Sequence, residues 1–554
     1  MKTKGHLTRL VVLSFFFVMI LTVLLWRMLA LTVLDRQFLQ VQGNARSLRV
    51  LEIPAHRGMI TDRLGTPLAV STPVQTVWVN PKTFSADKSK LVELSQLLET
   101  TAKTLIDTIN QAKKREFLYL HRQLRPELAK KIEELKIPGI NFQQEFKRFY
   151  PEGETVAPLV GFTNIDDIGI EGLELAYQDW LMGIQGRKRV LKDRMGQIIE
   201  ELDVLREPRP GHDLVLSIDR HIQYLAYHEL QNTMEKFAAK SGSVVVLDAK
   251  TGEILAAANA PSFNPNARGR YTRDSYRNRA LTDTFEPGSV MKAFTIASAL
   301  GSGLFKPETV IDTRPSRMLV HGRIVRDLHS YGVLSVTGVL QHSSNVGVAK
   351  MVLASPPEQL IGLLQRFGFG QRTESNYPGE SEGYIVNVKD ANPFVLSTLS
   401  FGYGMSVTAL QLAKGYLVFA NQGQLIPVSL LHSESKPVGE QVLDKKTSDQ
   451  VLAMLEAVLG NEGTGRSARV PGYRVAGKTG TSQIAGKNGY EKNRHIASFV
   501  GIAPVSDPRL VIAVVIHEPT KNGYYAASVA APLFSQIMSG ALRILDVPPD
   551  QAIG

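Results

Sequence analysis

Three short stretches carry side chains that could do covalent chemistry. Ser289-Val-Met-Lys292 sets a hydroxyl and an amine three residues apart, directly after Phe285-Glu-Pro-Gly288. Ser343-Ser-Asn345 supplies a second hydroxyl and an amide, and Lys478-Thr-Gly-Thr481 a second amine with two more hydroxyls. Serine is a weak nucleophile and needs an adjacent base. Lys292 can be that base if burial and the nearby cation Lys478 lower its pKa. The chemistry is then acyl transfer without a cofactor or metal. Ser289 attacks a carbonyl. The backbone N–H groups of Ser289 and Thr481 are the candidate oxyanion donors. Ser343 relays a proton to the departing amine, and Asn345 hydrogen-bonds the substrate amide and the Lys292 ammonium. Lys478, Thr479 and Thr481, with Gly480 between the two threonines, recognise a carboxylate, hence a substrate with a free C-terminus.

Each stretch recurs elsewhere. Ser85–Lys88 and Ser433–Lys436 repeat the first spacing, and Ser262-Phe-Asn264 repeats the second. Context separates Ser289 from these. Pro287-Gly288 precedes the helical run MKAFTIASALGSGL, and Pro suits the first turn of a helix. Ser289 is then expected at the helix N-terminus, where free N–H groups stabilise negative charge, with Lys292 on the same face. A competing pattern overlaps the third stretch. Gly472–Thr479, GYRVAGKT, fits the phosphate-cradling consensus. That loop needs a buried strand before it and a helix after it; Val470-Pro-Gly472 and the glycine-flanked TSQIAG offer neither.

The elements that must position these residues follow from pattern. Residues 10–34 form one apolar stretch, LVVLSFFFVMILTVLLW followed by Arg27 and MLALTVL. It is long enough to span roughly 30 Å of hydrocarbon. Lys2, Lys4 and Arg9 precede it, so a tail of residues 1–9 is expected in the cytoplasm and the rest outside. With no small-x-small cleavage site evident, an uncleaved single-pass anchor is expected. A polar helix is expected over Asp35–Arg46 and helices over 84–136, ended by Pro138-Gly139. Short strands and turns follow over 140–210, closing at Glu207-Pro-Arg-Pro-Gly211, which is taken as the main boundary. Beyond it, 219–237 has helical periodicity. SVVVLDAKTGEILAAA, 243–258, reads as a hairpin. Three strand candidates and a helix over 531–545 close the chain. Strands at both ends of this region with helices between them predict an α/β sheet built from both.

Composition narrows the classes further. The 554 residues are 44% apolar and 21% charged, ordinary for globular domains with full cores. The net charge of +11 is mild for this length and comes without an arginine-aromatic run that would favour nucleic acid. Cysteine is absent, which excludes disulfides, thiolate metal sites and a Cys nucleophile.

The three stretches in this order resemble the signature of penicillin-binding active-site serine enzymes. Arg57-Gly-Met-Ile-Thr-Asp62-Arg63-Leu-Gly65, Arg148-Phe-Tyr-Pro151 and Gly169-Ile-Glu171-Gly172-Leu-Glu174 resemble the N-terminal motifs of class B penicillin-binding proteins. Phe401-Gly-Tyr-Gly404-Met-Ser-Val-Thr408-Ala-Leu-Gln411 resembles their segment before K-T-G. IPAHRGMITDR, FEPGSVMK, HSSNVGVAK and PGYRVAGKTGT bring the likeness closest to the septal, FtsI-type transpeptidases of Gram-negative bacteria, over essentially the whole chain. The resemblance implies an α/β (α+β) transpeptidase domain, a mixed sheet flanked by helices, over 211–554. It implies an elongated non-catalytic pedestal over 35–210 and one transmembrane helix in the inner membrane. It implies D,D-transpeptidation of peptidoglycan stem peptides in the periplasm: Ser289 would attack D-Ala–D-Ala, release D-Ala and pass the acyl group to a neighbouring amine, that of diaminopimelate. The partners it implies are a SEDS-family lipid II polymerase, other divisome proteins and β-lactam antibiotics. Pro158 departs from the pattern, since related septal proteins often carry His there.

Other readings use the same residues. A lateral-wall transpeptidase shares all of them. A serine β-lactamase adds a deacylating water and needs neither anchor nor pedestal. A D,D-carboxypeptidase passes the acyl group to water, and the motifs do not separate it. A β-lactam sensor needs a signalling domain, which nine cytoplasmic residues do not offer. A bifunctional protein needs a glycosyltransferase domain where the pedestal motifs lie. An inactive scaffold has no need of Lys292, Ser343 and Lys478 together.

Overall fold

The computed structural model describes residues 3–39, 41, 48–193, 198–486 and 489–552. Met1 and Lys2 of the expected tail lie outside the described residues, as do Gln40 and 42–46 of the polar helix expected over Asp35–Arg46. The apolar stretch forms a helix, Thr3–Leu29, extended by a single wider turn over Ala30–Leu34. Thr32 Oγ1 donates to the Met28 carbonyl at 2.7 Å beside that turn. His6–Leu34 is long and apolar enough to cross a membrane, and none of it is buried by protein.

The chain divides into two compact units. One comprises Met1–His56, Pro73–Phe146 and Gly183–Gly211; the other comprises Arg57–Thr72, Lys147–Met182 and His212–Gly554. This differs from a single linear boundary at 210/211, because two stretches expected in the pedestal group with the second unit. Ile60–Thr61 pairs in parallel with Leu214–Val215, and Arg57 and Arg148 both bond to Glu174 in that unit's interior.

In the first unit, Leu48–Ile53, Gly186–Lys192 and Ile198–Arg206 form a three-stranded antiparallel sheet in that order. The region expected to be helical over 84–136 holds helices Lys88–Leu97, Ala102–Gln111 and Pro126–Glu134, but also a strand, Leu118–Leu124. LYLHRQL alternates apolar and polar residues. It pairs with the end of the long strand Pro67–Val79, Trp78 opposite Tyr119.

The second unit is built on a five-stranded sheet ordered Ile254–Ala260, Ser241–Asp248, Leu510–His517, Gly489–Ala503, Ala476–Gly486, antiparallel at every step. Strands from both ends of the region thus share one sheet, as the pattern predicts. Ser241–Asp248 is buried at every position. Successive side chains point to opposite faces, so both faces are covered. The helices Arg220–Phe237 and Ala530–Ile544 pack on each other and on the sheet. Ala409–Ala420 packs on the three inner strands and, through Tyr416 and Phe419, on Phe294 of the helix Lys292–Gly301. The strand Ala476–Gly486 lies at the sheet's edge, which leaves one side of its backbone open.

Candidate active site

Ser289 lies in a tight helical turn, Gly288–Met291, that runs straight into the helix Lys292–Gly301. Several bonds hold this turn. Gly288 N–H donates to Gly402 O at 3.1 Å, Tyr416 Oη to Val290 O at 2.8 Å and Ser482 Oγ to Glu286 O at 2.7 Å. Gly402, at φ +83°, comes so close that a Cβ there would lie 2.2 Å from Gly288 O. The Ser289 side chain is half-buried, and its hydroxyl makes no hydrogen bond among the described residues.

The three motifs meet at Ser343. Lys292 Nζ donates to Ser343 O at 2.5 Å and Ser343 Oγ at 3.0 Å. Lys478 Nζ donates to the same Oγ at 3.2 Å and to Thr479 O at 3.1 Å. Both lysines are wholly buried, and among the described residues no carboxylate bonds to either amine. Burial, then the neighbouring Lys478 cation, holds Lys292 well below its ordinary range, against a smaller opposing pull from Asp327. Burial alone brings Lys478 down to about 7. A buried amine with a depressed pKa beside a helix-terminal serine is the arrangement a serine–lysine nucleophile needs.

The edge strand supplies the rest. Gln483 N–H donates to Tyr403 Oη at 3.2 Å, away from the paired strand, and Ser498 Oγ of that strand donates to Gly480 O at 3.2 Å. The register from Ala476 to Gln483 is unbroken. Alternation therefore turns the N–H and C=O of Thr481 and Thr479 to the open edge, where an oxyanion donor belongs. Gly480 faces Pro287 O and Ser498 Oγ; a Cβ there would lie 2.7 Å and 2.6 Å from them. Thr481 Oγ1 accepts from Ala526 N–H at 3.0 Å, and Thr479 Oγ1 donates to Thr464 Oγ1 at 3.2 Å.

Asn345 differs from expectation. Its Nδ2 donates to Arg326 O at 3.1 Å, and among the described residues no bond joins it to Lys292. Ser343 takes that place because its φ of +59° turns its own carbonyl toward the amine. The overlapping phosphate-loop pattern is excluded by shape: Lys478 and Thr479 lie inside a strand that continues to Gly486 instead of opening a helix. Of the decoys, Ser433 bonds to the nearby Ser435 hydroxyl and Ser262 to Glu154 O. Among the described residues, no group of three His, Asp or Glu could hold a metal ion. Asp327 belongs to no spaced motif, and nothing in its local sequence marks it.

The N-terminal motifs also converge. Glu174 accepts from Arg57 Nε at 2.8 Å and from Arg148 Nε at 2.7 Å, with Arg57 and Glu174 fully buried and Arg148 nearly so. Arg57 further donates to Asp167 O and Gln178 Oε1, and Arg148 to Ser71 Oγ. Pro158 lies in a short helix, and its carbonyl accepts from Tyr377 Oη at 2.7 Å.

This fold and site define an active-site serine acyltransferase. The penicillin binding protein transpeptidase domain profile matches residues 242–539, and the penicillin-binding protein dimerisation domain profile matches 52–216. The chain is 42% identical to the probable peptidoglycan D,D-transpeptidase PbpC of Pseudomonas aeruginosa, covering 95% of this chain and 93% of that one. It is 41% identical to the peptidoglycan D,D-transpeptidase FtsI of Escherichia coli K12, covering 96% and 90%. Among solved structures, penicillin binding protein 3 of Mycobacterium tuberculosis matches with a TM-score of 0.70 at 28% identity, over 91% of this chain and 99% of that one. The chain belongs to the class B penicillin-binding proteins, of the FtsI type, and is membrane-anchored through its N-terminal helix.

Proposed function

We propose that the protein is the D,D-transpeptidase that cross-links peptidoglycan stem peptides at the division septum. The observation that carries the reaction is the convergence of two buried amines on one hydroxyl, Ser343 Oγ, beside a helix-terminal serine. Neutral Lys292 takes the Ser289 proton as Oγ attacks the carbonyl carbon of the penultimate D-Ala. The resulting oxyanion accepts from the Ser289 and Thr481 N–H groups. The C–N bond then breaks, and the proton passes from Lys292 through Ser343 to the leaving nitrogen, so D-Ala departs with its amine and the acyl group stays on Ser289. A neighbouring stem amine, that of diaminopimelate, attacks the ester. Its surplus proton returns by the same route to Ser289 Oγ, which leaves as a hydroxyl. Cationic Lys478, with Thr479, Gly480 and Thr481, holds the terminal carboxylate. Asn345 keeps one amide N–H and its oxygen for the substrate peptide. A β-lactam enters by the first half-reaction and stays as an ester, because its leaving group remains tethered.

Residues 35–210 are assigned to the non-catalytic pedestal and 211–554 to the transpeptidase domain. Residues 1–9 lie in the cytoplasm, residues 10–34 span the inner membrane, and the rest lies in the periplasm. The FtsI-type likeness supports the septal role and a SEDS-family polymerase and divisome proteins as partners. Intact-protein mass spectrometry after exposure to a penicillin tests the chemistry. A stable one-to-one adduct lost in Ser289→Ala is expected; rapid drug hydrolysis would point to a β-lactamase, and no adduct on folded protein to a scaffold. Depletion in the native host tests the site of action: filaments are expected, and round cells would indicate lateral-wall synthesis.

A further inference from the structure

The strand pair Arg317–Val320 and Arg323–Arg326 ends at Asp327, a residue that belongs to no motif. Its carboxylate grips the corner that bears Ser343. Oδ1 accepts from the backbone N–H of Asn345 at 2.5 Å and of Val346 at 3.0 Å, and Oδ2 accepts from the Ser344 hydroxyl at 2.7 Å. Ser344 Oγ in turn accepts from Gly347 N–H at 2.9 Å. Two free donors at the start of the helix Asn345–Leu353 are thus met by a charge from another element, where the helix dipole favours it. The adjacent Arg326 carbonyl takes Asn345 Nδ2. The corner needs such a hold, because Ser343 sits at φ +59°, a conformation a non-glycine residue keeps only when its surroundings impose it.

We propose that Asp327 is a positioning residue for acylation: it fixes the Ser343 corner on which Lys292 and Lys478 converge and sets a negative charge on that corner. This deepens the transpeptidase reading and rests on it. The other titratable and charged groups around the corner are those two lysines, the preceding Arg326, and Tyr331, whose ring stacks on His342 at 5.4 Å and meets His329 edge-on at 6.0 Å. Among the charges that act on Lys292, Lys478 favours loss of its proton and Asp327 favours retention.

Two variants separate the two parts of this role. Asp327→Ala removes the grip and the charge. Asp327→Asn keeps an oxygen for the two backbone donors but removes the charge and, with it, the acceptor of the Ser344 hydroxyl. The full-length protein in detergent is treated with a labelled penicillin between about pH 5 and 9, alongside Ser289→Ala. Varying the penicillin concentration resolves the acylation rate constant and the dissociation constant of the non-covalent complex. Asp327→Ala is expected to slow acylation by about 10²-fold with binding little changed, the cost of a displaced reacting group. Asp327→Asn is expected to stay within about tenfold of wild type at its best pH. Its acid limb moves to lower pH, because Lys292 then gives up its proton more readily; a purely structural residue would not move that limb. An Asp327→Ala rate within about threefold of wild type, together with an unmoved limb in Asp327→Asn, overturns the proposal. If Asp327→Ala does not fold, an unmoved limb in Asp327→Asn overturns it alone. A wild-type protein that forms no adduct, or an adduct that survives Ser289→Ala, overturns the transpeptidase reading first, and the Asp327 proposal with it.

Discussion

At the scale of single residues, the site asks opposite protonation states of two lysines that share one hydroxyl. Lys292 must be neutral to accept the Ser289 proton, so acylation rises with pH through its depressed pKa. Lys478 must be cationic to hold a carboxylate, and burial has brought it to about 7, so acylation falls as pH rises past that value. The second-order rate of acylation by a penicillin should therefore be bell-shaped, its two limbs belonging to the coupled pair. Lys478→Arg should lose the alkaline limb, since a guanidinium stays charged throughout. It should also lower the plateau, because the buried site is shaped for an ammonium. A stopped-flow profile that still climbs at alkaline pH in the wild type would contradict this. These residues were legible in the sequence because the chemistry fixes their spacing within each motif. Asp327 was not, because the motif it serves lies on another element and only folding brings it to Ser344. The Asn345 side chain was misplaced for a related reason: spacing says nothing about the backbone turn that presents the Ser343 carbonyl instead.

At the scale of elements, the nucleophile depends on how closely the loop before Ala409–Ala420 can approach it. Gly402 lies against Gly288, and a Cβ there has no flexible side chain to push aside, only backbone. Gly402→Ala must displace one of the two turns and also strains a positive φ. We expect a stability loss of about 1–3 kcal/mol and acylation slowed by about 10²-fold. Thermal denaturation and adduct formation check the two effects; unchanged acylation in a folded variant would show that the turn tolerates the shift. The catalytic sheet was readable at this scale because three of its strands, Ser241–Asp248, Ile254–Ala260 and Leu510–His517, are largely apolar and buried nearly throughout. The strand Leu118–Leu124 was not, because a short alternating segment between helices pairs with Pro67–Val79, a partner far away in sequence. Local periodicity cannot see such a partner. The compact units escaped a linear reading likewise, since Arg57, Arg148 and Glu174 are joined only in three dimensions.

At the scale of the whole molecule, two features can be perturbed far from the chemistry. The first is the buried Arg57–Glu174–Arg148 cluster. Glu174→Gln leaves two buried guanidiniums facing a neutral amide, and the expected cost is about 3–5 kcal/mol, read by denaturant unfolding. A loss below about 1 kcal/mol would mean that water reaches the cluster and screens it. The second is the N-terminal helix. Leu13 and Phe17, on one side of the helix axis, and Phe15, on the opposite side, are each about 70% exposed. A helix that is apolar all round and covered by no protein has no stable place in water, and it has no polar face to lie against a membrane surface. It is satisfied by crossing the hydrocarbon. Removal of residues 1–47 should therefore move the protein from the membrane pellet to the soluble fraction, while penicillin acylation at Ser289 persists, because none of the groups that converge on Ser343 comes from that segment. Alkaline carbonate extraction of the full-length protein should leave it in the pellet. If the truncated chain instead stays membrane-bound after carbonate washing, a second membrane contact exists elsewhere on the chain. If it is soluble but no longer acylated, the helix contributes to the competence of the site as well as to its location.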